Sequence, residues 1–512
     1  MKNARAWSVA LVGLDATLVE VEVSFGSGLP HTVIVGLGDT AVKEARERCR
    51  SAVSAAGFGW PPSAVTINLT PATLPKAGSH YDLPIVIAVL AAAASVPRAP
   101  LEGTVFLGEL GLDGRVRAVR GVLPALLAAR QAGFGRAVVP ASQLHEARLV
   151  DGLQVDGVGC LSDAVSLLRG EPYALSDVPP PEEPARRDRL DLADVVGQAE
   201  GRWVIEVAAA GGHHLAMTGP PGVGKTLLAE RLPGILPELT LEEALEVSAI
   251  HSLSGRSLEG GLITRPPYAD PHHSASLASL VGGGSLIAKP GAVSRAHFGV
   301  LFLDEAPEFS SAALEALRTP MESGRVVLAR AKEQTTYPAR FQLVLASNPC
   351  PCGWYNVQGH GARCSCAPQS IKRYLDRLSG PILDRIDIQL SLRPSRRESV
   401  ATNAPPGESS AVVAERVLDA RLRQRARWAE AGYTRNADVP GPMIRRSLRE
   451  VRGLTAIDDA VRRGQLSARG VDKVLRLAWT VADLMGHDRP EPGDIHTALA
   501  MRRGESEEVL CA

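Results

Sequence analysis

Aromatic side chains are scarce in this sequence of 512 residues, at 4% of the total, and the formal net charge is zero. Because 56 basic and 56 acidic residues balance, the chain has no global field that would attract nucleic acid. Any such contact therefore requires a local basic patch. The hydrophobic content of 45% predicts globular domains, with cores built mainly from Ala, Val, Leu and Ile.

Long apolar segments are also absent. The apolar run over residues 83–96 is shorter than the roughly 20 residues that a membrane helix needs, and the first seven residues do not resemble a signal peptide. We therefore expect a cytoplasmic protein with no membrane partner. Seven cysteines are too few for a disulfide scaffold, although four of them cluster between Cys350 and Cys366.

The segment Gly219-Pro-Pro-Gly-Val-Gly-Lys-Thr226 fits the phosphate-binding pattern G-x-x-x-x-G-K-[ST], between a predicted strand (214–218) and a predicted helix (227–231). Its glycines let backbone N–H groups turn toward a phosphate, and the helix N-terminus adds partial positive charge. Lys225 is expected to reach the β- and γ-phosphates of ATP, and Thr226 to ligate Mg²⁺. An ordinary glycine-rich turn is the alternative. The predicted nucleotide-binding residues are Gly219, Pro220, Pro221, Gly222, Val223, Gly224, Lys225, Thr226 and Leu227.

A second candidate element, which is acidic, follows downstream. There the apolar run Val300-Leu-Phe-Leu303 ends in Asp304 and Glu305. Ligands of open α/β sheets bind at the carboxyl ends of the strands. Asp304 is therefore predicted to complete the Mg²⁺ site, and Glu305 to polarise the attacking water. The alternative is an acidic turn after a strand.

The order of these elements resembles that of AAA+ ATPases, which assigns roles to two further residues. Asn348 ends a strand predicted over 341–348 and matches the sensor 1 residue, which holds the catalytic water. Arg385 matches the arginine finger that one subunit inserts into its neighbour's site. From the residues alone, local pairing of Arg385 with Asp384 or Asp387 is the alternative.

Residues 1–176 alternate strands and helices without a phosphate loop of their own. Segments 69–83 and 108–115 resemble the Lon-protease-like α+β domain, of ribosomal S5 domain 2-like fold, which also accompanies the ATPase of RadA-type recombination proteins. In that pattern, His80 occupies the position of the protease's nucleophilic serine, and Leu123 occupies the position of its lysine base. Histidine cannot replace the serine nucleophile, and leucine cannot act as the base. Peptidase activity is rejected, and Lys76 and His80 are expected to be structural or interface-forming.

Two proline-containing linkers, 177–190 and 395–410, divide the chain. They separate the first domain from a P-loop α/β/α core over 191–394, and that core from an all-helical lid over 411–512. In the lid, the resemblance to AAA+ proteins assigns the sensor 2 role to Arg469, with Arg476 as a competing candidate.

Further motifs narrow the resemblance to the magnesium-chelatase branch of AAA+ proteins: residues 270–276, 282–284, 289–297 and 383–387. With the Lon-like domain in front, nearly the whole chain resembles the YifB/ComM family. The resemblance implies a hexameric, ATP-driven DNA helicase that promotes branch migration on branched DNA.

The residues offer limited independent support for DNA binding. Segments 326–329 and 334–337 predict a hairpin with Arg330 and Lys332 at its tip, where the resemblance implies a ring's central pore. Those two cations are candidate phosphate contacts, and a solvated hairpin is the alternative. His272 and His273, in the insert 252–284, either line the pore or are buried; burial is favoured.

The cysteine cluster is a candidate metal site. Cys350, Cys352, Cys364 and Cys366 offer four soft ligands, a donor set that suits tetrahedral Zn²⁺. The C-x-C spacing is less usual than C-x-x-C, so a redox-active or reduced cluster is the rival. His360 is a substitute ligand.

Two other functions fit the same ATP chemistry. One is a magnesium-chelatase ATPase subunit, against which the Lon-like domain argues. The other is a regulator that remodels proteins without DNA, and the balanced net charge is compatible with it.

Overall fold

The structure is a computed structural model. It describes residues 3–36, 39–71, 74, 76, 78–173, 190–258, 260–284, 288–329, 334–357, 363–378, 380–393, 407–448 and 453–505. Most of both predicted linkers lies outside these ranges, so the domain boundaries stay predictions.

The N-terminal domain is built on a seven-stranded mixed sheet in the order β3-β4-β2-β1-β5-β8-β9. Strand β2 pairs antiparallel with β1 and β4, whereas the β3–β4, β1–β5, β5–β8 and β8–β9 pairs are parallel. The strands are β1 (Asn3–Val12), β2 (Asp15–Gly26), β3 (His31–Val35), β4 (Ala64–Thr70), β5 (Thr104–Phe106), β6 (Glu109–Leu110), β7 (Val116–Arg117), β8 (Arg136–Pro140) and β9 (Gln154–Val158). The helices are α1 (Asp39–Ala55), α2 (Asp82–Ala92), α3 (Val122–Gln131), α4 (Leu144–Ala147) and α5 (Leu161–Arg169).

The first strand is missing from the sequence-based prediction. In β1, Ala4 and Ala6 are buried and alternate with the exposed Arg5. Alanine is depleted in strands, so the period of two in this segment is easily overlooked. Ten consecutive residue pairs with β2 nevertheless make it a main strand of the sheet. The short strand β9 is likewise absent from the prediction.

The P-loop domain contains a five-stranded, all-parallel sheet in the order β11-β14-β17-β10-β18. Strands β14 and β17 are buried along their whole length, which fits their continuous apolar runs. The five strands are β10 (Leu215–Thr218), β11 (Tyr268–Ala269), β14 (Val300–Leu303), β17 (Gln342–Ser347) and β18 (Ile388–Ser391). Two antiparallel pairs accompany the sheet: β12 (Gly282–Gly283) with β13 (Lys289–Pro290), and β15 (Arg325–Ala329) with β16 (Gln334–Pro338).

Helices surround this sheet and form the C-terminal lid, as predicted. Those of the P-loop domain are α6 (Ala199–Gly211), α7 (Lys225–Arg231), α8 (Leu241–Leu253), α9 (Leu277–Val281), α10 (Ala292–Arg295), α11 (Ser311–Ala316), α12 (Arg318–Ser323), α13 (Pro368–Leu375) and α14 (Gly380–Leu383). Those of the lid are α15 (Ser410–Trp428), α16 (Gly441–Ser447), α17 (Thr455–Arg462), α18 (Ala468–Met485) and α19 (Pro492–Arg503). Within the described ranges, no helix is both long and apolar enough to cross a membrane.

The N-terminal domain packs directly on the P-loop domain. The buried carboxylate of Glu146 accepts hydrogen bonds from the hydroxyl of Ser252 and from the backbone N–H of Leu123. Leu258 belongs to the same hydrophobic cluster as Val9 and Val105 of the N-terminal sheet. One apolar cluster therefore spans the two domains.

The positions that the sequence analysis laid over the protease pair make contacts within the domain core. The His80 Nε2 bonds the Val9 carbonyl at 3.0 Å, and burial lowers the pKa of His80 to about 4, so the neutral ring donates this bond. Leu123 is fully buried in the core. The Lys76 ammonium donates to the carbonyl of Pro71. The rejection of peptidase activity stays a prediction.

Candidate functional site

The polar residues predicted from the sequence meet at one edge of the parallel sheet. The phosphate-binding loop follows β10, Asp304 follows β14 and Asn348 follows β17. These three strands are adjacent and parallel, so their carboxyl ends lie side by side. Gly222 and Gly224 have φ angles of 77° and 98°, a left-handed conformation that favours glycine and turns the loop into α7.

Lys225 lies at the centre of this edge. Its buried ammonium group donates to the carbonyls of Gly219 and Pro220, at 2.6 and 3.0 Å, and to Asn348 Oδ1 at 3.0 Å. Burial lowers the pKa of Lys225, and the carboxylates of Asp304 and Glu305 oppose this shift. A cation next to the loop's N–H groups is suited to bind the phosphates of a nucleotide.

Thr226 and Asp304 form the candidate magnesium site. The Thr226 hydroxyl donates to Asp304 Oδ2 at 2.9 Å, so an oxygen ligand from the loop lies beside a carboxylate from the neighbouring strand. Thr226 is exposed at the rim of the site, as are Pro221, Gly222 and Leu227. Hydroxyl and carboxylate oxygens are the hard ligands that Mg²⁺ prefers, so this pair fits Mg²⁺ bound with a nucleotide phosphate.

Glu305 is positioned by unusual backbone geometry. It adopts a left-handed φ of 50°, which is strained for a residue with a side chain, and its N–H donates to Asp304 Oδ1 at 2.9 Å. The exposed carboxylate lies 3.5 Å from Nδ1 of His273. The expectation that both histidines of the insert are buried is wrong, because His272 is exposed and His273 is half-buried. Both follow β11, the edge strand beside β14, and this brings His273 to Glu305.

Asn348 is fixed from its other side by a residue that the sequence analysis did not identify. Its backbone N–H donates to the hydroxyl of Tyr374, from α13, at 3.4 Å. Burial raises the pKa of Tyr374 to about 12, so this phenol keeps its proton. One residue earlier, Ser347 Oγ lies 3.1 Å from the Thr218 hydroxyl and ties β17 to β10. No motif of the sequence identifies Tyr374, because its role depends on how α13 packs.

The structure gives Arg385 a partner that differs from the predicted alternative. Its guanidinium bonds the carboxylate of Glu322, at the end of α12, and the carbonyl of Pro381 at 2.7 Å. Neither Asp384 nor Asp387 is its bonded partner, because each is engaged by cations of the lid. The side chain of Arg385 is only 12% exposed within the chain.

The lid contacts the segment that carries Arg385. Lys473 donates to the Arg385 carbonyl at 2.8 Å and to Asp387 Oδ1 at 2.6 Å, and it holds the pKa of that buried carboxyl well below its usual range. Arg469 lies 3.7 Å from Asp384 and is 65% exposed, whereas Arg476 donates to the Val439 carbonyl within the lid. Arg476 is thus engaged in the lid core, and Lys473 is a contact that sequence reasoning missed.

The four clustered cysteines are brought together as predicted. Their sulfur atoms all lie within 4.8 Å of one another, and Cys350 is buried. No disulfide joins them in the structure. The donor set therefore fits a single thiophilic metal ion. The alternative ligand His360 lies outside the described residues.

The predicted hairpin is confirmed as the antiparallel pair of β15 and β16. Arg325 pairs with Pro338 at the base of the hairpin, and Ala329 pairs with Gln334 next to its tip. Its tip, with Arg330 and Lys332, lies outside the described residues. The hairpin is anchored at both ends: near its base the Tyr337 hydroxyl donates to the Ala288 carbonyl at 2.5 Å, and next to its tip Thr335 packs on Gly13 of the N-terminal domain.

Comparison with family models gives matches along most of the chain. Residues 20–143 match the model described as subunit ChlI of Mg-chelatase, and residues 191–400 match magnesium chelatase, subunit ChlI. Residues 407–502 match the C-terminal model of that subunit. The fold, the nucleotide-site geometry and these matches define a magnesium-chelatase-like AAA+ ATPase.

Full-length relatives identify the family within that class. An uncharacterized protein of Mycobacterium tuberculosis is 51% identical over 98% of this chain and 99% of its own. The uncharacterized protein YifB of Escherichia coli is 42% identical over 93% of this chain and 92% of its own. The competence protein ComM of Haemophilus influenzae is 40% identical over 98% of each chain. The chain belongs to the YifB/ComM family. A Lon protease 2 of Thermus thermophilus is 33% identical over 27% of this chain, which supports the Lon-like fold of one domain.

Proposed function

We propose that this protein is an ATP-hydrolysing DNA motor that promotes branch migration and acts as a hexameric ring. One observation carries the catalytic part of the proposal: adjacent strand ends bring Lys225, Asp304 and Asn348 to one edge of the sheet. The DNA part is supported by family membership, because the named relatives include a competence protein.

In the proposed reaction, Lys225 and the N–H groups of the loop bind the phosphates of ATP, while Thr226 and Asp304 hold Mg²⁺. Bound Mg²⁺ would neutralise charge on the phosphates. Glu305 orients and polarises the attacking water, and Asn348 holds that water from the neighbouring strand. Arg469 contributes from the lid as sensor 2.

Arg385 completes the site of the next subunit in this proposal. To do so its side chain must leave Glu322, which holds it in the isolated chain. The Glu322 side chain is 56% exposed but that of Arg385 only 12%, so the ion pair is open to water on the Glu322 side alone. Arg385 must therefore leave both Glu322 and the Pro381 carbonyl to reach the neighbouring site, where transition-state phosphate charge would replace Glu322 as its partner.

The DNA contacts are proposed at the tip of the β15–β16 hairpin, where Arg330 and Lys332 would meet backbone phosphates. The contacts of Tyr337 with Ala288 and of Thr335 with Gly13 fix the direction in which the hairpin projects, which a phosphate-contacting tip requires. Six copies in a ring would supply twelve cations to one strand, which compensates for the lack of net charge. Zn²⁺ at Cys350, Cys352, Cys364 and Cys366 is part of the same proposal, with a structural role.

The test is steady-state ATP hydrolysis by wild-type protein with forked DNA, with linear duplex and without DNA, with Glu305→Gln as the inactive control. We expect forked DNA to stimulate hydrolysis most. Hydrolysis that proceeds normally while DNA neither binds nor stimulates it would rule out the motor. That outcome would favour a protein-remodelling regulator or a magnesium-chelatase-type subunit.

A further inference from the structure

The strand that ends in Asn348 leads directly into the cysteine cluster. Cys350 lies two residues beyond Asn348, and the Gly353 N–H donates to the Cys350 carbonyl at 2.9 Å. The Tyr355 N–H points at Cys350 Sγ at 3.3 Å, as N–H groups do around metal-bound thiolates. The cysteine cluster therefore begins immediately after β17 and Asn348, with no other element between them.

The sulfur geometry is that of a mononuclear site. Sγ of Cys350 lies 3.3 Å from Cys352 and 3.8 Å from Cys364, and the Cys352–Cys364 separation is 3.7 Å. Four thiolates at about 2.3 Å from a tetrahedral Zn²⁺ would be about 3.8 Å apart. The separations are too long for disulfides, whose sulfurs lie about 2.05 Å apart. A polynuclear iron–sulfur cluster needs a wider cage than one with all sulfurs within 4.8 Å.

The same loop also presses on the nucleotide-binding loop. A Cβ placed on Gly353 would lie 2.5 Å from Cδ of Pro221, so only glycine allows this approach. Gly353 has a φ of 83°, which also favours glycine. Pro221 is the third residue of the phosphate-binding segment, and Lys225 of that segment bonds Asn348. The cysteine loop therefore touches the nucleotide site both through Pro221 and through Asn348.

We propose that the four cysteines bind one Zn²⁺ ion whose role is to brace the nucleotide site, so that metal occupancy sets the affinity for ATP. The cysteine loop, closed by the metal, holds Gly353 against Pro221 and fixes the end of β17 at Asn348. Without the metal, the Cys364–Cys366 pair is no longer cross-linked to Cys350 and Cys352, and Gly353 loses this support. The brace rests on the proposed ATP site, whereas the metal site itself does not.

The metal content is the first measurement. Protein purified without chelators is analysed for zinc and iron as wild type, as Cys364→Ser/Cys366→Ser and as Cys160→Ser, a matched control outside the cluster. We expect about one zinc per chain in wild type and in the control, and almost none in the double variant. Wild type without zinc, or with an equivalent of iron, would overturn the zinc assignment.

The affinity for a fluorescent ATP analogue with Mg²⁺ is the second measurement. We expect binding to weaken about tenfold or more in the double variant, with the far-ultraviolet circular dichroism retained. Gly353→Ala tests the brace even if the double variant does not fold, because it should keep its zinc and still bind the analogue several-fold more weakly. Gly432→Ala is the matched control, since Gly432 has a φ of 75° and no atom within 4 Å of its added Cβ.

The two parts of the account fail separately. Gly353→Ala that binds the analogue as tightly as Gly432→Ala would overturn the brace. Zinc-loaded wild type that binds no nucleotide would overturn the proposed ATP site and the brace with it, and the zinc site would stand.

Discussion

His273 Nδ1 lies 3.5 Å from Oε2 of Glu305, so a side chain of the 252–284 insert contacts the carboxylate proposed to activate water. We expect this contact to restrain Glu305. His273→Ala should then raise the basal rate of ATP hydrolysis several-fold and reduce the further stimulation by forked DNA. The neighbouring His272→Ala is the matched control, because His272 bonds Ser274 instead. Equal basal rates in the two variants would contradict the restraint.

Loss of the Glu305 carboxylate should separate binding from hydrolysis. Glu305→Gln keeps the size of the side chain but removes the base, so we expect hydrolysis to fall by about 10²–10⁴-fold while ATP still binds. Binding of the fluorescent analogue and phosphate release are measured on the same preparation. A variant that hydrolyses ATP at the wild-type rate would show that Glu305 is not the activating residue.

Arg385→Ala should lower hydrolysis by on the order of 10³-fold, as loss of an arginine finger does, with nucleotide affinity largely kept. If the residue acts on a neighbouring subunit, mixing Arg385→Ala with Lys225→Ala subunits restores some activity, because some interfaces then hold both Lys225 and Arg385. Glu322→Gln is the control for loss of the ion pair alone and should remain active. Mixed rings that form, by native mass spectrometry, yet stay inactive would exclude a role in trans.

Protonation of His214 should destabilise the fold. Its Nδ1 accepts the Leu343 N–H at 2.9 Å, which only a neutral ring can do, and desolvation lowers its pKa to about 4. Between about pH 6.5 and 4, His214 of the unfolded chain therefore binds a proton more readily than His214 of the folded chain. The contribution of the neutral ring to stability is thus lost as the pH is lowered from about 6.5 to 4. His214→Asn keeps an acceptor without titrating.

The free energy of unfolding, from denaturant titration at several pH values, checks this. Wild type should lose stability more steeply toward low pH than His214→Asn, and His31→Asn, a change at an exposed site, should behave as wild type. Parallel slopes in all three proteins would contradict the assignment.

The convergence of side chains at the candidate nucleotide site was predictable because they follow buried strands in a fixed motif order, while their catalytic roles stay predictions. The phosphate loop, Asp304 and Asn348 are examples, and parallel strands bring such ends to one edge of a sheet. The partners Glu322 of Arg385 and Tyr374 of Asn348 were not predictable, since each comes from a helix distant in sequence. Strand β1 was missed because small alanines hide its alternation.

The most direct test of the central claim is ATP-dependent strand exchange on a labelled, mobile four-way DNA junction. Wild type with ATP and Mg²⁺ should convert the junction to duplex products, and Lys225→Ala and Glu305→Gln should not. Arg330→Ala/Lys332→Ala should lose this activity and the DNA stimulation while keeping its basal hydrolysis. Wild-type protein that hydrolyses ATP but leaves forked and four-way DNA unchanged would contradict the account.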